Sequence, residues 1–345
     1  MKTKLTLFSL VLMIALTSYS QETQIKGFAN IDAMGSFEKD TARKDENHFA
    51  IGQYDLFITS QITQNVKMLG ESVFEFDGNS FAIDLERVMV DYYMKDYFSI
   101  SVGKFHTPLG YWNNAYHHGM ALQPTSIRPD ALKFEDEGGI LPIHELGAQL
   151  HGDGITKYNF GYNLMLSNGI AADAAYDYNK SKAVTANLHA EPIENLKLYV
   201  SGYMDRVPDG YTTAQGITVK KTDVQILNAS IAYVNGKFPI EFIGEFFNVT
   251  TNMDSVVSKV TNGYVLYAGY KIKKFVPYVS YDGIAYQKGE QYFIENNVQT
   301  TTLGLRYIMS PLSVLKLEYK YHTSAQAGMP SVFRNQITLQ FAFGF

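Results

Sequence analysis

Hydrophobicity along this chain alternates with period two. At the C-terminus Ile337, Leu339, Phe341, Phe343 and Phe345 share one face, and Gln336, Thr338, Gln340, Ala342 and Gly344 share the other. Upstream, Leu315, Leu317, Tyr319 and Tyr321 alternate with Lys316, Glu318, Lys320 and His322. Successive side chains of a strand point to opposite faces, so each segment reads as a strand with one apolar and one polar surface. No helical period is sustained over several turns. Beyond the N-terminal segment, no apolar run is long enough for a transmembrane helix. Such a chain folds as a soluble sheet with its apolar face inward, or as a closed membrane barrel with that face outward.

The N-terminus favours export. Lys2 and Lys4 precede an apolar run from Leu5 to Leu16, and Thr17-Ser18-Tyr19-Ser20-Gln21 follows. This is the layout of a signal peptide, residues 1–20, with cleavage after Ser20. The chain has no cysteine, which excludes disulfide scaffolds, CxxC sites and a lipoprotein anchor. A net charge of −5 leaves no basic excess for nucleic-acid phosphates.

Connection lengths separate the two architectures. Sixteen segments can be drawn, the first near 24–36, the fifth to seventh near 97–106, 143–152 and 155–167, and the last near 333–345. Links after even-numbered strands are short, as at Lys95-Asp96, Gly236 and Lys273. Links after odd-numbered strands are generally longer, and 107–142 is the longest. Short turns at one end and long loops at the other are the habit of an outer-membrane barrel. The expectation is therefore an all-β transmembrane antiparallel barrel of about 16 strands, with short periplasmic turns and a long third outer loop. No linker interrupts the pattern, so residues 21–345 form one domain despite a length of 345. The terminal Phe345 matches the aromatic ending typical of such barrels. Tyr and Phe, 25 and 22 in number, recur near strand ends where interfacial girdles sit.

With the apolar face on lipid, the polar face lines a lumen. Asp55, Glu75, Asp91, Glu145, Lys197, Glu241, Glu245, Arg306, Lys316, Glu318 and Lys320 are the expected charged wall, joined by Asp32, Asp205, Lys271 and Asp282. Burying so many charges in a dry interior is costly, whereas a wet channel is not. Rings of Arg and Lys mark anion pores. Here acids lead and no such ladder exists, which points to weak cation preference or none.

The long loop opens with Gly103-Lys104-Phe105-His106-Thr107-Pro108-Leu109-Gly110-Tyr111-Trp112-Asn113. That run resembles the Gly-Arg/Lys-Phe-x-x-Pro-x-Gly stretch of the phosphate-selective porin O/P family and related trimeric porins. The resemblance implies a sixteen-stranded homotrimer in a Gram-negative outer membrane that passes small hydrophilic solutes or ions, its third loop folded inward. The missing Arg ladder leaves phosphate as substrate uncarried.

His117, His118, Arg128, Lys133, Glu135, Asp136 and Glu137 are the candidates for a pore constriction within 107–142. Two other readings stand beside it. The same groups could pin the loop to the wall, or His106, His117, His118 and His144 with the acids could hold a metal. The spacing fits no HxH or HExxH pattern, so no metal or cofactor is expected. Pro108, Pro124, Pro129 and Pro142 with the apolar Leu109, Tyr111, Trp112, Leu122, Phe134 and Leu141 suggest an ordered, packed loop. Lys104 carries a conflict, because strand parity aims it at lipid; a bulge near Gly103 would turn it away.

Gly-x-Ser-x-Gly is absent, and the chain is not read as an enzyme. The leading expectation is a passive porin. The alternatives are a plugged barrel with a structural or adhesive role, and a porin specific for an anion or a sugar.

Overall fold

In a computed structural model the chain forms one closed antiparallel barrel of sixteen strands, β1 to β16, each paired with its sequence neighbours and β1 with β16. The structure describes residues 22–38, 47–76, 81–116, 122–172 and 176–345. The strands run from β1 (Glu22–Glu38) to β16 (Val332–Gly344) in the expected order. One boundary differs markedly: β7 spans Gly161–Ser167, so the turn before it is longer than two residues. Positions 155–160 leave the sheet through a left-handed residue, Asn159 at φ 45°.

The faces sort by chemistry. In β15 (Ser313–Gln326), Lys316, Glu318 and Lys320 are buried while Leu315, Leu317, Tyr319 and Tyr321 face outward, Leu317 at 49 % exposure. In β9 (Leu196–Val207) and β10 (Thr222–Tyr233), Val200, Met204 and Leu227 are exposed beside buried Ser201, Asp205 and Asn228. A soluble sandwich would invert this arrangement. An outward apolar band around a polar interior is stable only where lipid covers it. Closure leaves no strand edge unpaired, which removes the backbone cost of lying in hydrocarbon. The final residue takes part in closure: Phe345 and Gly27 exchange two backbone hydrogen bonds of 2.9 Å, and the Phe345 ring stacks on Tyr54 at 5.8 Å.

Two expectations about the wall need correction. No bulge occurs at Gly103. β5 (Phe98–His106) pairs without interruption through Gly103 with both β4 (Phe81–Lys95) and β6 (His144–Gly152). Gly103 adopts φ 140°, where a Cβ would strike the Val88 carbonyl, so glycine passes a distortion that other residues could not. Lys104 resolves its conflict by donating to the Leu85 carbonyl at 2.8 Å. The extra residue lies instead on β4, where the register steps from Glu71↔Arg87 to Ser72↔Leu85 and so passes over Glu86. Lys271 is not a wall residue either. β12 (Lys259–Tyr270) ends one residue earlier, and Lys271 is exposed in the turn that follows.

Candidate functional site

The interior is divided by the connection between β5 and β6, residues 107–143. Its apolar side chains pack on the wall. Leu109, Tyr111, Trp112, Leu132 and Ile140 join Tyr203, Ile226, Phe247, Val265 and Tyr278 of the strands from β9 to β13 (Phe275–Tyr286) in one cluster. This burial is the reason a loop so rich in proline and aromatics is ordered inside a barrel.

Two wall carboxylates hold the loop. Glu245, in β11 (Ile240–Met253), accepts the backbone N–H groups of Tyr111 and Trp112 at 2.7 and 2.8 Å, and the Ser230 hydroxyl at 2.7 Å. Those amides begin a five-residue helix, α1 (Tyr111–Ala115), whose first turn has no intrahelical acceptor for them. The preceding residue is Gly110 at φ 74°, where a Cβ would come within 2.9 Å of the Phe247 ring. Glu318 accepts the Ser126 N–H at 2.6 Å, the Ser126 and Tyr278 hydroxyls, and Lys320 at 2.9 Å. Lys316 donates to the Thr125 carbonyl at 2.8 Å, and Gln340 to the Ser126 carbonyl at 2.8 Å. Further out, Asp282 accepts the Asp130 N–H at 2.8 Å, and Thr300 donates to the Asp130 carboxylate at 2.6 Å.

The expected site residues divide among distinct places. Arg128 is buried within the loop itself, donating to the Leu132 carbonyl at 2.6 Å and to Asn113 at 3.1 Å, with its guanidinium over Phe134. Burial pushes its pKa down to about 10 despite surrounding carboxylates. Lys133 pairs with Asp130 at 2.7 Å. Glu135 accepts the Ile143 N–H at 2.9 Å, and its burial raises the carboxyl to about 7. Asp136 and Glu137 are exposed. His117 and His118 lie outside the described residues, as does the side chain of Glu75. On the wall, Asp55, Asp91, Glu145, Glu241, Glu245, Arg306, Lys316, Glu318 and Lys320 are buried, and Lys197 is half-buried.

Several residues that fix the loop or the wall carry no motif. Ser126 and Thr300 are ordinary hydroxyl residues, marked only by strand parity or by position. Glu71 and Arg87, an ion pair on the wall of β3 (Val66–Phe76) and β4, are equally silent in sequence.

Cavities flank the loop. One of about 480 Å³ lies between Phe134–Glu137 and the wall of β4 to β7, and is lined by Asp84, Glu86, Glu135, Asp136, Glu137 and Glu145 against Lys104 and His144. A second of about 220 Å³ lies against β13 to β16 and carries Arg128, Lys133, Lys320 and Arg334 against Asp130 and Asp282. The loop thus separates an acidic space from a basic one. Among the described residues, no cluster of three or more His, Asp or Glu has metal-binding geometry. Ser101 does meet a histidine and a carboxylate: its oxygen is 2.9 Å from His151 Nε2, and it donates to Asp91. The carboxylate sits on the serine and not on the far nitrogen of the imidazole, which is not the order a nucleophilic triad needs.

Solved structures share this architecture over nearly the whole chain. An anion-selective porin from Comamonas acidovorans superposes with a TM-score of 0.68 at 13 % identity, covering 94 % of this chain and 100 % of its own. The fold is the porin fold. The outer membrane channel DcaP of Acinetobacter baumannii matches at TM-score 0.64 and 12 % identity, over 95 % of this chain and 99 % of its own. The trimer form of OmpT of Vibrio cholerae matches at 0.62 and 11 %, over 94 % and 99 %. No family model matches the sequence, and no curated protein does.

Proposed function

We propose that this chain is an outer-membrane channel for small hydrophilic solutes, exported by residues 1–20 and narrowed by its loop at 107–142. One observation carries the reading. A polar inner wall, shielded from lipid by an apolar outer band, holds the third outer connection inside the lumen through Glu245 and Glu318. A charged interior of this kind requires water, and water within a membrane barrel is a path for solutes. The porin fold and the stretch from Gly103 to Asn113 support the same reading, and with it a homotrimer in a Gram-negative outer membrane.

The constriction would lie beside Glu135 to Glu137, which face Asp84, Glu86 and Glu145 of the wall, while Arg128 and Lys133 of the same loop line the basic space on its other side. His117 and His118 belong to the proposed constriction by sequence alone. Acidic residues at the rim of the larger cavity favour weak cation preference; the absence of an Arg ladder speaks against phosphate selectivity. The chain acts by passage and not by catalysis.

Planar-bilayer recording tests this directly. Stepwise currents in groups of three are expected, with reversal potentials near zero or slightly cation-preferring under a salt gradient. A second reading, a plugged barrel of structural role, is favoured by one feature, the complete burial of Leu109, Trp112 and Leu132 against the wall. Absence of current from folded protein would decide for it.

A further inference from the structure

The small basic cavity does not end at the loop. A second space of about 400 Å³ adjoins it toward the long-loop end, and Asp130, Lys133 and His322 line both. The two differ in chemistry. The inner one presents Lys320 and Arg334. Even counting Glu318, which pairs with Lys320 from below, its four cations outnumber three carboxylates. The outer one presents the exposed carboxylates Asp136 and Glu137.

Each space also contains a buried polar atom without a hydrogen-bond partner among the described residues. In the inner space it is the hydroxyl of Ser280, which is 2 % exposed. In the outer space it is the amide oxygen of Asn296. Leaving such groups unpaired costs about 1–3 kcal/mol each, so native proteins rarely do so without a ligand or water to satisfy them. Their chemistry is complementary to two different ends of one molecule. A hydroxyl among cations donates to a carboxylate. An amide oxygen among carboxylates accepts from an ammonium.

Register gives the separation. Ser280 is paired with Thr302 on β14 (Asn296–Ser310), six residues along the strand from Asn296. At about 3.4 Å per residue that is roughly 20 Å. An extended peptide of four or five residues spans ~14–18 Å, and a hydrogen bond at each end closes the gap.

We propose that the β13 to β16 side of the lumen binds short zwitterionic peptides, the carboxylate end at Ser280, Lys320 and Arg334 and the ammonium end at Asn296, Asp136 and Glu137. This rests on the channel reading and specifies a solute class for it. The peptide runs along the wall past the Asp130–Lys133 pair, whose charges are already matched to each other.

The test uses the full chain in two settings. In bilayers, tetraglycine added on the long-loop side should lower the current, while diglycine, too short to bridge, should do so at least about tenfold less effectively. In detergent, calorimetry should detect tetraglycine binding, weakened about tenfold by Ser280→Ala and strengthened by Asn296→Asp. Acetylation of the amine, or amidation of the carboxylate, should weaken it similarly. The inference fails if diglycine or doubly blocked tetraglycine binds equally well. It fails too if neither substitution changes the affinity, or if open channels ignore tetraglycine. Binding in detergent without any current from the reconstituted protein would overturn the channel reading and leave the peptide site standing.

Discussion

The inner wall has two halves that use the same residue types differently. On β10 to β15 the carboxylates Glu245, Asp282 and Glu318 reach across to backbone N–H groups of the loop. On β1 to β5 the carboxylates turn to the wall itself: Asp32 accepts from Asn30 at 2.9 Å, Glu71 pairs with Arg87, and Asp91 accepts from Ser101. The first half is a mount and the second a liner. An inward acid is therefore not one kind of site. Its role depends on whether a loop segment with otherwise unsatisfied donors lies opposite.

The largest expected effect comes from removing the mount. Glu245→Ala with Glu318→Ala strips charged acceptors from the loop backbone, at about 1.5–3 kcal/mol for each hydrogen bond lost. Single-channel conductance should rise severalfold while the barrel still folds. A double variant that conducts as the parent does would erase the distinction between the two halves.

Next is Arg128→Leu. It removes the cation that ties Leu132 and Asn113 together inside the loop, also at about 1.5–3 kcal/mol per charged hydrogen bond. Limited proteolysis should cut the loop faster by tenfold or more, with barrel melting little changed. A loop still resistant to protease would mean that packing alone holds it.

A smaller effect should follow pH. The Glu135 carboxyl is raised by burial to about 7 from its ordinary value of 4.5. Below pH 4.5 it is protonated whether the loop is docked or free. As pH climbs from 4.5 to 7 the docked loop is increasingly disfavoured, and above 7 the penalty is constant. Conductance or its fluctuations should therefore increase across that window in the parent. Glu135→Gln should flatten the rise, and an unchanged rise in that variant would assign it to another group.

The smallest effect is expected on the liner. Glu71→Gln leaves Arg87 without its ion pair, a contact made within the wall. Conductance should stay within about twofold, with a modest shift of reversal potential toward anions. A change as large as that of the mount variants would show that the two halves are coupled.

The barrel was legible in the sequence because its signal is local. Period-two alternation needs only adjacent residues, and sixteen such segments with unequal connections leave few ways to close. Lys316, Glu318 and Lys320 could be assigned inward from four neighbouring letters. The loop was legible only as ordered and unusually long. That Glu245 would meet Tyr111, 134 residues earlier, or that Glu318 would meet Ser126, 192 residues earlier, has no trace in either neighbourhood. Local parity erred where a side chain escaped it, at Lys104, which bonds to the Leu85 carbonyl without a bulge in its own strand, and at Lys271, which the turn removes from the wall.

The sequence alone thus determined which face of each strand is polar, because solvent preference is written residue by residue. Only the tertiary structure decided which polar residues oppose the loop, which satisfy one another, and which, like the Ser280 hydroxyl and the Asn296 amide oxygen, have no partner among the described residues. Those outcomes depend on register around a closed ring, where each strand's position is set by all the others.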